Sequence, residues 1–209
     1  MVMKTHYLLQ FLYCTTLITA VSVTGLRAQD FYKLSGSKEN SIKVLGTSNV
    51  HDWIMYAQNP IAEASFSAPA GDEGVPKNLY TLSFSVSAKG LKSEHTSMDN
   101  RAYKTIKAET YPTITFKLIS SIITPVKKNT FLIKSTGTLS IAGTSKTIVM
   151  QVNGSMNDDN SITCSGQQKI KLTDFNIQPP SFLMGAMKVG DDLTIQYGLT
   201  FKKATQNSK

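Results

Sequence analysis

Cysteine is almost absent from this chain, and the shortage limits the fold before any pattern is read. Only Cys14 and Cys164 occur in 209 residues. Cys14 lies deep in an N-terminal apolar run behind the bulky Tyr13, a poor setting for lipid modification. With that run removed, Cys164 has no partner, so the fold must hold by core burial and not by an internal disulfide. Cys164 falls mid-strand, where a buried, inert thiol is expected. Histidine is equally scarce, with only His51 and His95 beyond residue 28. No HxxxH, CxxC or clustered carboxylates accompany them, which leaves no support for a structural or catalytic metal. Nucleophile elbows, phosphate-cradling glycine loops and dinucleotide fingerprints are missing too. A dispersed triad would have to begin at His51-Asp52, where a structural histidine at a strand end is the favoured reading. No catalytic residue, metal or cofactor is assigned, and the chain is not read as an enzyme.

Charge is also thin. Asp, Glu, Lys and Arg make up 17% of the chain and apolar residues 41%, a globular composition. The formal net charge is +8. The basic residues are scattered, with Lys127-Lys128 and Lys202-Lys203 as the only adjacent pairs. Without an Arg-rich run or basic–aromatic interleaving, this is a solvated basic surface, and nucleic acid is not an expected partner.

Long apolar runs are confined to the N-terminus. Lys4 precedes a stretch from Tyr7 through Val23, and small or permissive residues then lead to Ala28, although Leu26 is not the small residue usually found two positions earlier. This layout predicts a secretory signal peptide over residues 1–28, cut near Ala28–Gln29, with a cut after Gly25 as the alternative. Threonines and Gln10 dilute the run below the roughly 20 strongly apolar residues a spanning helix needs. The leader carries Lys4 and Arg27 and no acid, so its loss lowers the formal net charge from +8 to +6. Residues 29–209 then form one exported domain, periplasmic or secreted.

From Ser41 onward the dominant signal has period two. Ala62, Ala64, Phe66 and Ala68 share one phase; Tyr80, Leu82, Phe84, Val86 and Ala88 share the next. Ile114-Phe116-Leu118, Phe131-Ile133 to Leu139-Ile141, Ile148-Met150-Val152, Ile170-Leu172 and Leu193 through Phe201 continue the series. Successive strand residues face opposite sides, so this pattern means one buried and one wet face. Eight strands are predicted. Turn chemistry separates them at Ala70–Gly74, Ala142-Gly143-Thr144, Asn153-Gly154 and Gly190-Asp191-Asp192. Asn153-Gly154-Ser155 also matches a glycosylation sequon, but the turn reading is preferred. Short links make neighbours antiparallel, and one-sided strands favour closure into a barrel.

Two segments depart from this pattern. Ser97–Ala108 reads as a short helix capped by Ser97 or Asp99, with Met98, Ala102 and Ile106 on one stripe. Residues 173–188 read as a loop with Phe175, Phe182, Leu183 and Met184 exposed. Several residues in phase with the inward apolar positions are small: Ala62, Ala64, Ala68, Ala88, Ser135, Gly137 and Gly166. They fit either an internal cavity or bends that curve the sheet.

The motifs then fall in a telling order. Asn49-Val50-His51-Asp52-Trp53, Met98-Asp99 through Lys107-Ala108, and Tyr111-Pro112-Thr113-Ile114-Thr115-Phe116 come first. Gly137 through Thr144 (GTLSIAGT) and Thr173-Asp174-Phe175-Asn176-Ile177 with Pro179-Pro180 and Phe182 follow. Over roughly Ser41 to Lys203 the chain resembles the YceI-like family of exported, lipocalin-like barrels that bind polyisoprenoids. The resemblance implies an all-β, eight-stranded antiparallel barrel with one short helix packed alongside, and an apolar tunnel for an isoprenoid chain. It places the ligand along Phe84, Val86, Ile114, Phe116, Ile133, Ile148 and Ile195, with Phe175 and Phe182 near the mouth. The expected partner is thus a hydrophobic lipid, carried, stored or sequestered. A filled barrel that docks a partner or membrane surface through residues 173–188 is the alternative, and the oligomeric state, a homodimer included, stays open.

Overall fold

The computed structural model describes residues 29–72 and 74–204. The expected leader, residues 1–28, lies outside them. In chain order the strands are β1 (Gln29–Leu34), β2 (Ser41–Ser48), β3 (Trp53–Ala57), β4 (Ile61–Ser67), β5 (Pro69–Ala70) and β6 (Val75–Pro76). β7 (Leu79–Ser87) and β8 (Leu91–Lys92) precede the helix α1 (Thr96–Thr105). β9 (Thr113–Lys127), β10 (Thr130–Ile141), β11 (Thr144–Met156), β12 (Ile162–Lys171), β13 (Ser181–Phe182) and β14 (Met187–Lys203) complete the series.

These strands occupy eight positions around a closed antiparallel barrel, because three positions are each built from two collinear pieces. β1 and β2 lie end to end along one edge of β14: Leu34 pairs with Phe201, and Ser41 with Gly198. β3 and β4 pair with β2 and β1 respectively, and β8 and β7 continue the same wall. The chain kinks between β3 and β4 at Asn59, whose φ of 50° suits asparagine better than most side chains. β1 closes the ring by pairing with both β14 and β4. Closure satisfies the strand edges that an open sheet would expose.

The inward face forms two clusters. One cluster gathers around Tyr32, Phe66, Val75, Phe131, Ile162 and Phe201. The other holds Phe116, Ile141, Ile170, Phe175, Ile177 and Leu193. α1 stands beside this second cluster, where Tyr103 donates to the carbonyls of Lys89 and Leu91 at 2.9 and 2.8 Å. Ile106, just past the helix, packs against the second cluster.

Several sequence expectations are corrected. Asn153-Gly154 is not a turn: it lies inside β11, paired with β10 on one side and β12 on the other. Glycine is needed there because the ring of Phe131 occupies the place of a Cβ at Gly154. Gly190-Asp191-Asp192 lies within β14 as an irregularity in its pairing with β2. Tyr80 is exposed and Leu79 buried, because a bulge opposite Ser65-Phe66 shifts the phase of β7. The helix runs 96–105, with His95 and not Ser97 or Asp99 at its N-cap. Asp99 instead folds back, accepting from the Ser93 N–H at 2.7 Å and the Ser93 hydroxyl at 2.8 Å. Strand β1, which closes the barrel, lies upstream of the stretch where alternation is legible. The two-residue Ala142-Gly143 turn forms as expected, with φ of 49° and 79°.

Candidate ligand-binding cavity

Inside the barrel is a cavity of about 210 Å³. The small residues of β4 face it: Ala62 and Ala64 are each 3% exposed and line its wall. Ser135 on β10 lines it as well. Gly137 and Gly166 have a different task, that of letting rings approach. The ring of Phe116 sits where a Cβ at Gly137 would be, and a Cβ at Gly166 would lie 2.6 Å from the Tyr197 hydroxyl oxygen. The small inward positions therefore serve both readings, Ala62 and Ala64 by opening space and the glycines by admitting aromatic side chains, whereas Ala68 and Ala88 lie past the ends of β4 and β7 and do not line the cavity.

The lining is almost entirely hydrocarbon. Its polar members among the described residues are Ser135, Cys164, Gln168 and Tyr197. Burial pushes the Cys164 thiol up to about 12, so it behaves as a small apolar group at neutral pH. Burial, and then the neighbouring Cys164, pushes the Tyr197 phenol up to about 12. A dry cavity of about 150 Å³ is known to take benzene. By that scale about 210 Å³ holds on the order of eight carbons, and a longer chain must extend beyond it.

Eight of the nine residues expected to touch a ligand line this cavity: Phe84, Val86, Ile114, Phe116, Ile133, Ile148, Phe175 and Ile195. Phe182 does not. Its ring lies outside, 4.9 Å from the Arg101 guanidinium. Phe175 is 2% exposed and not a surface residue. The reason is a seam in the wall. β11 and β12 pair over four rows only, from Asn153–Ser165 to Met156–Ile162. Beyond the last paired row Phe175 and Ile177 join the inner cluster between them, and the Asn176 amide donates to the Thr144 hydroxyl at 3.2 Å. The spacing of Phe175 and Ile177 around polar Asn176 is the same alternation seen in the strands, and was the available signal. Ala62, Leu139, Met150, Ile170 and Tyr197 also line the space, although sequence reasoning placed them in the alternation without assigning them to the site.

A YceI-like domain profile matches residues 39–201. This chain belongs to the YceI-like family. Solved structures share the fold: BcnA of Burkholderia cenocepacia has a TM-score of 0.61 at 19% identity, covering 78% of this chain and 96% of its own. A polyisoprenoid binding domain from Saccharophagus degradans, implicated in plant cell wall breakdown, gives 0.61 at 12% identity, covering 83% and 98%. The YCEI protein of Campylobacter jejuni gives 0.54 at 22%, covering 71% and 84%. Among curated proteins none matches.

In this YceI-like chain the His51-Asp52-Trp53 element builds a turn. The Ser48 hydroxyl donates to the His51 carbonyl at 2.8 Å and accepts from the N–H groups of Val50 and His51. The His51 ring bonds the Asp52 backbone carbonyl at 2.8 Å, not its carboxylate. Serine, histidine and aspartate thus meet without forming a relay. The Trp53 ring packs over Gly46 and donates to the Thr47 carbonyl at 3.1 Å. The Thr173–Phe175 turn is pinned by Asp191, which accepts from the Thr173 N–H at 2.9 Å and hydroxyl at 2.7 Å. The Thr173 hydroxyl bond, more than any other contact, holds the Asp191 carboxyl below its ordinary range. Among the described residues no group of three or more His, Cys, Asp or Glu is placed to hold a metal ion.

Proposed function

We propose that this protein is an exported lipid-binding barrel that holds a polyisoprenoid-like chain in its interior for transport, storage or sequestration. The observation that carries the proposal is the cavity itself: a closed barrel keeps about 210 Å³ of space inside a wall of hydrocarbon side chains. Interiors normally pack to crystal density, so an apolar space of this size loses dispersion contacts unless something fills it. Affinity would come from buried apolar area, at about 25 cal/mol per Å² before ordering costs. Such a site needs no catalytic group, which agrees with a binding protein and not an enzyme. Family membership and a structural relative described as a polyisoprenoid binding domain support the same ligand class. The test is solvent extraction of purified protein followed by lipid mass spectrometry. Repeated recovery of empty protein that also rejects added isoprenoids overturns the proposal.

Export rests on the sequence of residues 1–28. A cut at Ala28–Gln29 would keep all of the described strand β1, Gln29–Leu34. N-terminal sequencing of protein from the periplasm or medium should read Gln-Asp-Phe-Tyr; an intact leader on the mature protein contradicts it.

One observation favours membrane contact as an additional activity. Leu183 and Met184 are fully or largely exposed in a turn where Leu183, Met184 and Gly185 all have positive φ. Flotation with phospholipid vesicles should lose the protein when Leu183→Ser and Met184→Ser are combined; equal flotation of the variant excludes this contact.

A further inference from the structure

Tyr197 lines the apolar cavity, and its hydroxyl, beside the Gly166 backbone and the Gln151 carbonyl, has no protein partner among the described residues. A buried hydroxyl left unpaired costs free energy that phenylalanine, of nearly the same shape, avoids. The surroundings are nonetheless arranged to accommodate the oxygen. Gly166, opposite Tyr197 in the β12–β14 ladder, leaves room that any side chain would remove, since a Cβ there would lie 2.6 Å from the oxygen. The phenol remains protonated across the physiological range and can both donate and accept.

Its depth in the barrel is informative. The inward residues of β14 run from Leu193 in one inner cluster through Ile195, Tyr197 and Leu199 to Phe201 in the other, and all five line the cavity. Tyr197 is the midpoint of that series and packs against the Phe66–Phe201 cluster. No Lys, Arg or His is among the lining residues, so a phosphate or carboxylate brought to this depth would be buried without a counter-charge. An alcohol or carbonyl oxygen suffers no such penalty.

We infer that Tyr197 is the polar anchor of the cavity, hydrogen-bonding the single uncharged oxygen of an otherwise apolar ligand, whose tail lies along the hydrocarbon wall formed by Ile195 and Leu193. The inference rests on the cavity reading and narrows it to neutral terpenoid-type alcohols or carbonyls. Farnesol and the hydrocarbon farnesene separate the two claims, because they share a skeleton and differ in the hydroxyl. Each is titrated into delipidated protein by competition with a fluorescent apolar probe. Wild-type protein should bind farnesene, and should bind farnesol about five- to tenfold more tightly, the worth of one net hydrogen bond. Tyr197→Phe should bring the ratio to about one by weakening farnesol alone. Its melting temperature should not fall, since an unpaired hydroxyl has been removed. If wild type binds farnesene but does not prefer farnesol, or if Tyr197→Phe keeps the preference, the anchor is wrong and the cavity reading stands. If wild type binds neither compound, the cavity reading falls and the anchor with it.

Discussion

Replacing Ala62 by isoleucine distinguishes an open cavity from a filled core by the sign of its effect on stability. Ala62 is 3% exposed, pairs with Phe84 across the β4–β7 ladder and lines the interior space. At about 24 cal/mol per Å³, a dry space of about 210 Å³ represents about 5 kcal/mol, a large part of the 5–15 kcal/mol a domain typically retains. Isoleucine adds three carbons to that wall. If they enter open space, each contributes roughly 0.8 kcal/mol, about 2 kcal/mol together, and a β-branched residue suits a strand. For a domain of this size that raises the melting temperature by about 5 °C. The same atoms occupy the ligand's volume, so farnesene affinity should drop at least about tenfold, as expected for loss of roughly 1.4 kcal/mol. Thermal unfolding followed by circular dichroism, and competition binding, read the two effects. Destabilisation by about 1–3 kcal/mol, the usual result of overpacking, with binding unchanged, would refute the reasoning, because Ala62 would then face a filled core.

Other consequences follow from single residues. Cys164 should resist thiol reagents in native protein at pH 8 and react on unfolding. Its raised pKa of about 12 also means that above about pH 9 the unfolded chain loses a proton the folded one keeps. Stability should therefore decline by about 1.4 kcal/mol per pH unit for this group; Cys164→Ala should remove that part of the slope, and an unchanged slope rejects the assignment. Gly137→Ala should cost about 1–3 kcal/mol because the Phe116 ring occupies the Cβ position, and Phe116→Leu should relieve part of the loss in a double-mutant cycle; additive effects would mean the two do not touch. Asp99→Asn should destabilise the protein by about 1–3 kcal/mol in urea titration, since the buried carboxylate accepts two bonds from Ser93 and lies 3.6 Å from Lys92. Burial raises the Asp99 pKa, but the Ser93 bonds and Lys92 outweigh it and the net shift is downward. Its contribution is thus present above the ordinary carboxylate range and lost as pH falls through the folded value, so wild type and variant should converge in acid.

Much of the site was legible without coordinates because a barrel wall obeys a two-residue rule. Once Phe84, Val86, Ile114, Phe116, Ile133, Ile148 and Ile195 are in one phase, antiparallel pairing and closure leave them only the interior. The rule fails where the backbone departs from regular pairing. At Tyr80 one extra residue in β7 reverses the phase, and nothing in the run Tyr80-Thr81-Leu82 marks it. Asn153-Gly154 has the composition of a turn, yet Gly154 leaves space for the Phe131 ring from the neighbouring strand, a contact that no local pattern encodes. Phe175 looked like a loop aromatic because its neighbours are turn formers, while its burial depends on β11 and β12 parting after four rows.

Alternation along the chain thus determined that the protein would be a one-sided β structure. The tertiary structure decided whether the inward face was a filled core or a cavity. That outcome depends on which residues meet across the barrel: alanines on β4 face space, while glycines on β10, β11 and β12 face rings. A sequence carries the size of each side chain, but the volume left between them exists only once eight strand positions have closed on one another.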